Sequence, residues 1–261
     1  MAAVAPGLID LHTHILPGID DGARDLSEAL AMARVALQEG IVCLAATPHS
    51  LRWPAGTNRA ALEARAAALE QALRSQELPL TVVAGAETAL LAALPWQIAA
   101  GEAIPLNRSR YLLLELPCVG PIPHLEEILF QVQARGLVPI LAHPERAEGL
   151  ASQHGRLRRL VQQGLLLQLT AGSLEGSFGP AVRRTAQRFL AEGLVQIIAS
   201  DAHNAGGRAP RLRRAQELAA RIVGPDRALA MVSTTPAAIL ADRPLEIEPP
   251  EGPRRRWFWW R

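Results

Sequence analysis

The chain has 261 residues, of which 49% are hydrophobic and 20% are charged, and its formal net charge is +2. This length suits one large domain, and the composition is too apolar for a disordered protein. The small net charge gives no reason to expect a nucleic-acid partner. All 27 basic residues are arginine, so a Schiff-base lysine enzyme and a P-loop nucleotide site are both excluded.

Short apolar runs alternate with amphipathic stretches along most of the chain. We predict seven strands, at residues 7–11, 41–46, 80–84, 111–116, 137–141, 165–169 and 195–199. Predicted helices lie between and after them, at residues 27–38, 60–73, 125–134, 155–163, 181–191 and 212–222. Several of these helices end near a glycine, which favours a left-handed cap: Gly40, Gly136, Gly164 and Gly193.

Strands that are apolar throughout and separated by helices indicate a parallel sheet covered on both faces. The sequence therefore predicts an α/β fold, a closed or slightly distorted (β/α)7 TIM-like barrel, as a single domain over residues 1–243. An open doubly wound sheet is the alternative. No G-x-G-x-x-G motif follows the first strand, which disfavours the nucleotide-binding version of that alternative.

The C-terminal segment differs in composition from the rest. Residues 246–253 are rich in proline and glutamate, and residues 254–261 read RRRWFWWR, with four of the ten aromatic residues. We interpret residues 244–261 as a tail outside the barrel, either flexible or docked on a partner or an anionic surface.

Imidazoles and carboxylates follow six of the seven predicted strands. In a barrel these strand ends converge on one rim, where such folds place their active sites. Burying so many of these groups together without cations is costly, so the pattern predicts a polynuclear metal site. Imidazole and carboxylate ligands without thiolates suit Mn, Fe or Zn. The residues are His12, His14, His49, Glu87, Glu115, His143, Asp201 and His203.

Charged residues in the intervening loops extend this picture. Asp20 and Asp21 follow the H-x-H motif closely, and we expect one of the two to be a further ligand. Arg146 lies three residues after His143, and Arg208 lies five after His203. Two guanidinium groups beside a cationic site imply an anionic substrate, since they would otherwise repel the metal ions.

Other histidines and the cysteines receive plainer interpretations. His154 is expected to be solvated, whereas His124 lies near the rim and is a weaker candidate for a substrate contact. Cys43 and Cys118 lie in apolar surroundings, and neither has the arginine six residues later that a cysteine phosphatase needs. No apolar run approaches about 18 residues, and no basic leader is present, so the sequence predicts a cytoplasmic protein.

Six ordered motifs carry a resemblance to a known family: IDLHTHILPGIDDGA, TPH, GAE, LLLELP, LAHPER and IASDAHN. Together they span residues 9–208 and resemble the PHP (polymerase and histidinol phosphatase) superfamily. Within it, the chain is similar to the bacterial metal-dependent tyrosine phosphatases of the CpsB/YwqE type. The resemblance implies a PHP-type distorted barrel. It implies nothing about the C-terminal tail, which lies outside the matching motifs.

The resemblance also implies a ligand set for three divalent metal ions, with Mn first and Fe or Zn as alternatives. It implies that Arg146 and Arg208 hold the phosphate. Asp201 and His203 are catalytic candidates as proton donors to the leaving group, but a role as metal ligands would make them poor donors. Nine positions match the family's ligands: His12, His14, Glu87 and Asp201 for the first ion, Glu87, Glu115 and His143 for the second, and Asp21, His49 and His203 for the third.

The function implied by the residues and the resemblance is metal-dependent phosphomonoester hydrolysis. The resemblance implies a partner as well, the tyrosine-rich tail of a bacterial tyrosine autokinase that controls capsule or exopolysaccharide synthesis. A small-molecule phosphatase such as a histidinol-phosphate phosphatase is the alternative. A metallo-amidohydrolase is less suited, since the chain has no lysine to carbamylate. A metal-binding scaffold without catalysis is the non-enzyme alternative, and the oligomeric state stays open.

Overall fold

The structure, a computed structural model, describes residues 7–50, 58–117 and 123–246. In these ranges the strands are β1 (Leu8–Thr13), β2 (Ile41–Ala46), β3 (Thr81–Ala84), β4 (Glu87–Ala89), β5 (Tyr111–Glu115), β6 (Val138–Ala142), β7 (Leu166–Thr170) and β8 (Ile197–Ala199). The helices are α1 (Leu26–Gln38), α2 (Arg59–Ser75), α3 (Leu94–Ala99), α4 (Leu125–Gln133), α5 (Glu148–Ala151), α6 (His154–Gln162), α7 (Ala171–Glu175), α8 (Gly179–Ala191), α9 (Arg213–Val223), α10 (Pro225–Ala230) and α11 (Thr234–Leu240). Single 3-10 turns lie at Leu106–Arg108 and Pro144–Arg146.

The predicted helices and strands are confirmed to within two residues at each end, because their patterns are strong and local. Helix α1 begins at the cap Asp25, whose carboxylate accepts a hydrogen bond from the Glu28 backbone N–H at 2.9 Å. All four glycines predicted to cap helix ends have positive φ, from 71° to 96°. The helices that prediction missed, α3, α5, α7, α10 and α11, have only four to seven residues, which is too short for a clear period.

The short strand β4 was not predicted. Strand β3 pairs with β2, whereas β4 pairs with β5, so the break at Gly85 and Ala86 moves the chain from one sheet to the next. The Gly85 N–H still donates to the Ala46 carbonyl oxygen at 2.9 Å. A Cβ on Gly85 would lie 2.7 Å from Leu106 Cδ2, so the break needs a residue without a side chain. Glu87 was expected after the third strand and instead begins β4.

The two sheets, β1-β2-β3 and β4-β5-β6-β7-β8, are parallel, and each strand pairs with its neighbour in the sequence. At one seam, Thr13 bridges Ala202, and the Asp201 N–H donates to the His12 carbonyl oxygen at 2.9 Å. At the other seam, His49 bridges Glu87. These contacts bring the two sheets together at both edges, an arrangement consistent with the predicted distorted barrel. The consecutive order does not fit a doubly wound sheet, whose strand order reverses.

The barrel interior and the layer between sheets and helices are both apolar. At the end of the described chain, the Tyr111 hydroxyl donates to the Arg243 carbonyl oxygen at 2.6 Å, and Arg110 pairs with Asp242 at 2.9 Å. None of the helices in residues 7–246 that the structure describes has the length and apolarity to cross a membrane. Cys118 and the sequence RRRWFWWR lie outside the described residues.

Candidate metal centre

All nine residues matched to metal ligands lie at one end of the strands. His12 and His14 are at the end of β1, Glu115 ends β5, Glu87 begins β4, and His143 follows β6 directly. The others lie in the loops that follow β1, β2 and β8: Asp21, His49, Asp201 and His203. His143 and Asp201 adopt left-handed backbone conformations, with φ of 36° and 55°, at the sharp turns that leave β6 and β8. Such conformations are uncommon for residues with a side chain, and they often occur at functional sites.

The first group of potential ligands contains His12, His14 and Glu87, all buried. The Nε2 atoms of the two imidazoles are 3.2 Å apart, and Glu87 Oε2 lies 3.3 Å from the first and 3.5 Å from the second. Asp201 Oδ1 lies 3.6 Å from each of the same nitrogens. Residues two apart in a strand have their side chains on the same face, so both imidazoles of the H-x-H motif reach one point.

A second group shares Glu87. His49 Nδ1 lies 2.8 Å from Glu87 Oε2 and 3.2 Å from Glu115 Oε2. His143 Nε2 lies 2.9 Å from the other carboxylate oxygen, Glu87 Oε1. The carboxylate of Glu87 therefore faces two groups of side chains at once, as a carboxylate that bridges two ions must.

The third group contains His14, Asp21, His49 and His203. Asp21 Oδ1 lies 3.5 Å from His49 Nε2 and 3.6 Å from His203 Nε2. The imidazole centres of His14 and His203 are 3.9 Å apart. The ligand set implied by the family resemblance placed His14 with the first ion alone, whereas the geometry places its ring between two groups.

The donor atoms fit divalent metal ions. Glu87 Oε2 is buried and makes no hydrogen bond within the described residues, although three imidazole nitrogens lie within 3.5 Å of it. Buried carboxylate oxygens are normally hydrogen-bonded, so this oxygen is arranged as a ligand. Imidazole nitrogens and carboxylate oxygens without sulfur suit Mn, Fe and Zn.

The close packing of imidazoles and carboxylates also shifts the pKa values of these side chains. Burial alone would raise the pKa of Glu87, but the surrounding imidazoles, His12 first, hold its pKa well below the usual range. Burial likewise opposes the charge of His12, but Glu87 and Asp201 raise the pKa of His12 to about 9. Burial and the neighbouring His14 lower the pKa of His203 to about 3. The Glu87 carboxylate is therefore ionised and His203 is neutral, as metal ligands are, whereas His12 must lose a proton before its Nε2 can bind an ion.

The structure also distinguishes Asp20 from Asp21. The Asp20 carboxylate is buried and accepts hydrogen bonds from His14 Nδ1 at 2.6 Å and from the backbone N–H groups of Gly22 and His49, each at 3.0 Å. The Asp21 carboxylate faces the open side of the third group. Of the two residues, Asp21 is the one that belongs to a group of potential ligands.

Both predicted arginines converge on Asp201. Arg146 Nη1 and Arg208 Nη2 donate to Asp201 Oδ2, at 2.6 Å and 2.8 Å. The Arg146 guanidinium carbon lies 4.4 Å from the centre of the Phe178 ring, an arrangement that holds the cation against an aromatic face. Two guanidinium groups therefore border the metal centre at the carboxylate that also faces His12 and His14.

Several residues near the centre escaped sequence analysis. Gln168 accepts from His12 Nδ1 at 2.9 Å, and it is the single polar residue in the run LLLQL, a pattern that could have revealed it. Asp10 and Glu145 lie inside the quoted motifs and are buried beside ligand residues, where burial raises the pKa of each. Phe178 had no distinguishing pattern, because only the folded chain brings it to Arg146.

The remaining histidines lie elsewhere. The His124 side chain is 72% exposed, and it lies 3.4 Å from Glu127. The expectation that His154 is solvated is wrong, because its side chain is only 16% exposed and packs between Glu192 and Phe189. A helix start beside an apolar neighbour buries more of this ring than the local sequence indicates.

Residues 8–241 match the family model for CpsB/CapC, described as capsular polysaccharide synthesis. The chain belongs to the CpsB/CapC family. Tyrosine-protein phosphatase YwqE from Bacillus subtilis is 31% identical over 249 residues, which cover 95% of this chain and 98% of YwqE. Tyrosine-protein phosphatase CpsB from Streptococcus pneumoniae is 24% identical over 241 residues, covering 90% of this chain and 99% of that protein.

Solved structures agree with this family membership. A crystal structure from a study of YwqE and CpsB, described as metal-dependent tyrosine phosphatases, matches with a TM-score of 0.87 at 31% identity, covering 95% of this chain and 100% of that one. The phosphotriesterase homology protein from Escherichia coli matches with a TM-score of 0.58 at 11% identity, covering 90% and 98%. The second match shows a shared fold alone.

Proposed function

We propose that this member of the CpsB/CapC family is a metal-dependent phosphomonoesterase that hydrolyses phosphotyrosine in protein. The observation that carries the proposal is the pair of guanidinium groups on Asp201 Oδ2, directly beside clustered imidazoles and carboxylates. The activity of the similar proteins YwqE and CpsB, both named tyrosine-protein phosphatases, supports the same reaction.

The proposed centre holds three divalent metal ions, with Mn first and Fe or Zn as alternatives. Three overlapping groups of ligands support the number three. When bound, such ions supply water activated at neutral pH and neutralise charge on the phosphoryl oxygens. We assign the nine residues to these ions, with His14, His49 and Glu87 each facing two groups.

Arg146 and Arg208 are proposed to hold two phosphoryl oxygens. Each donates charge-assisted hydrogen bonds, which strengthen as negative charge spreads over the equatorial oxygens. Asp201 keeps both guanidinium groups at the centre in the absence of substrate. The phenol of tyrosine has a pKa of about 10, so it leaves as phenolate with little proton donation.

Proton donation by His203 is correspondingly limited. Its Nδ1 lies 3.0 Å from the Asp201 carbonyl oxygen, which can only accept a hydrogen bond. The hydrogen therefore stays on Nδ1, and Nε2 carries the lone pair toward Asp21. This supports a role for His203 as a metal ligand more than as a general acid. Asp201 is likewise a poor acid, because both arginines donate to its carboxylate.

The proposed substrate is the phosphotyrosine tail of a bacterial tyrosine kinase that acts in capsule or exopolysaccharide synthesis, within the cytoplasm. The rim is accessible, and a cavity of about 400 Å³ lined by Phe178 and Arg208 adjoins the arginine pair. This space gives residues that flank phosphotyrosine somewhere to lie. We further propose that residues 1–243 form the barrel domain and that residues 244–261 form a tail outside it.

A competition experiment tests the function. The purified protein, loaded with Mn²⁺, is given a phosphotyrosine peptide, a phosphoserine peptide and histidinol phosphate at equal concentrations. We expect the highest kcat/KM for phosphotyrosine, because serine leaves as the poorer alkoxide. A tenfold or greater preference for histidinol phosphate would replace this proposal with a small-molecule phosphatase.

A further inference from the structure

The two imidazoles of the H-x-H motif are each held from behind. His14 Nδ1 lies 2.6 Å from Asp20 Oδ2, and His12 Nδ1 lies 2.9 Å from Gln168 Oε1. The opposite nitrogens, both Nε2, face Glu87 and lie 3.2 Å apart. An acceptor at Nδ1 keeps the hydrogen there and leaves the Nε2 lone pair free for an ion.

Three hydrogen bonds hold the Asp20 carboxylate in place. Its Oδ2 accepts from both His14 Nδ1 and the His49 backbone N–H, and its Oδ1 accepts from the Gly22 backbone N–H. A Cβ on Gly22 would lie 2.0 Å from the His14 carbonyl oxygen, so this turn packs directly against the His14 backbone. The Ala23 N–H donates to that same oxygen at 2.9 Å.

The position of His14 makes this contact more consequential than the one at His12. His14 belongs to two of the three groups of potential ligands, whereas His12 belongs to one. Asp20 also holds the backbone of His49, which shares one group with His14 and belongs to the remaining group with Glu87 and Glu115. One carboxylate therefore supports residues that serve every group.

We propose that Asp20 is a positioning residue, which holds His14 in the form with hydrogen on Nδ1 and thereby sets the metal affinity of the centre, while its neighbour Asp21 is the ligand. The inference rests on the metal centre of the proposed function and not on the choice of substrate. Gln168 has the corresponding role for His12 through a neutral acceptor.

Asparagine at position 20 would reverse one of these contacts. The two Asp20 oxygens accept from three N–H groups, so both oxygens serve as acceptors. An Asn side chain of the same size must turn its NH₂ group toward at least one of those donors. If NH₂ faces His14 Nδ1, the hydrogen moves to Nε2, the nitrogen that the ion needs.

The first test is a Zn²⁺ titration by calorimetry of the full chain, comparing wild type with Asp20→Asn. We expect Asp20→Asn to bind Zn²⁺ about 10- to 100-fold more weakly. Asp25→Asn is the matched control, because Asp25 lies in the same segment but caps α1. An Asp20→Asn protein with wild-type affinity would overturn the inference.

The second test needs no variant and keeps the inference falsifiable if Asp20→Asn fails to fold. Nitrogen-15 NMR of the Zn²⁺-loaded wild type should show a hydrogen on His14 Nδ1 and metal-bound Nε2. A hydrogen on His14 Nε2 overturns the inference. If the wild-type protein binds Zn²⁺ but does not hydrolyse phosphotyrosine, that result contradicts the proposed function alone. The two tests of Asp20 can still be carried out in that case.

Discussion

Asp201 is the residue at which the metal centre and the substrate side of the site meet. Its Oδ1 faces His12 and His14 at 3.6 Å, while its Oδ2 accepts from Arg146 and Arg208. The arginines and the imidazoles therefore occupy opposite edges of one carboxylate. Substitutions on the two edges should have separable effects.

Arg146→Ala and Arg208→Ala should each keep the metal ions and lower phosphatase activity by about 10- to 1,000-fold, because a guanidinium supplies about 1.5–4 kcal/mol to the transition state. Kinetics on a phosphotyrosine peptide and elemental analysis measure the two quantities. Arg24→Ala is the control, since Arg24 is exposed and its guanidinium pairs with Glu28 in the first turn of α1. Loss of metal from the Arg146 or Arg208 variant would contradict this assignment.

Glu87→Ala should reduce metal content and activity together, because the carboxylate faces two groups of ligands. Elemental analysis after dialysis against Mn²⁺ gives the metal content. Glu63→Ala is a suitable control, because Glu63 pairs with Arg108 at the surface. Full metal content in the Glu87 variant would show that this carboxylate is not a bridging ligand.

Replacing Cys43 and Cys118 together by Ser should leave kcat/KM within a few-fold of wild type. Burial raises the pKa of the Cys43 thiol to about 12, so no thiolate nucleophile forms there at neutral pH. Steady-state kinetics on a phosphotyrosine peptide provide the measurement. A loss of several orders of magnitude would revive a thiol mechanism.

At the scale of elements, the turn between β1 and α1 determines which aspartate reaches the centre. Gly22 allows this turn to lie against the His14 carbonyl oxygen, at a distance that no Cβ tolerates. The turn, rather than either flanking element, therefore places Asp20 behind His14 and Asp21 in front of His203.

Gly22→Ala should destabilise the protein by about 1–3 kcal/mol or more and weaken metal binding at the same time, because the turn must move. Thermal unfolding and Zn²⁺ titration provide the two measurements. Gly155→Ala is the matched control, since the nearest atom to its added Cβ is the end of the Arg159 side chain at 4.0 Å. Equal unfolding temperatures for wild type and Gly22→Ala would contradict the rigidity of this turn.

At the scale of the whole molecule, the metal centre joins both sheets. His12 and His14 lie in or beside the sheet of β1, and Glu87 and Glu115 lie in the other sheet. Ions bound between them cross-link the barrel, whereas the buried carboxylates repel one another without ions.

Adding Mn²⁺ to metal-free protein should therefore raise Tm, and a chelator should lower Tm and abolish activity. One site filled at 100 times its Kd stabilises the folded state by about 2.7 kcal/mol. Scanning calorimetry at several Mn²⁺ concentrations measures the effect, with Mg²⁺, which prefers oxygen ligands, as the control ion. Full activity in protein shown to be metal-free would exclude the proposed reaction.

The sequence by itself determined the order of strands and helices, because hydrophobic periodicity and glycine caps are local properties. It also determined which residues stand at the strand ends, since a parallel barrel brings all those ends to one rim. For that reason His12 and His143 could be named as candidate site residues before any distance was known.

Tertiary structure decided how those residues share partners. The pairing of β4 with β5, the contact of Asp20 with the His49 backbone, and the contact of Gln168 with His12 all depend on segments far apart in sequence. Periodicity carries no information on such contacts, because each depends on which side chains pack across the barrel. The positions of imidazoles and carboxylates after the strands indicated a metal centre, and packing alone determined which nitrogen and which oxygen face it.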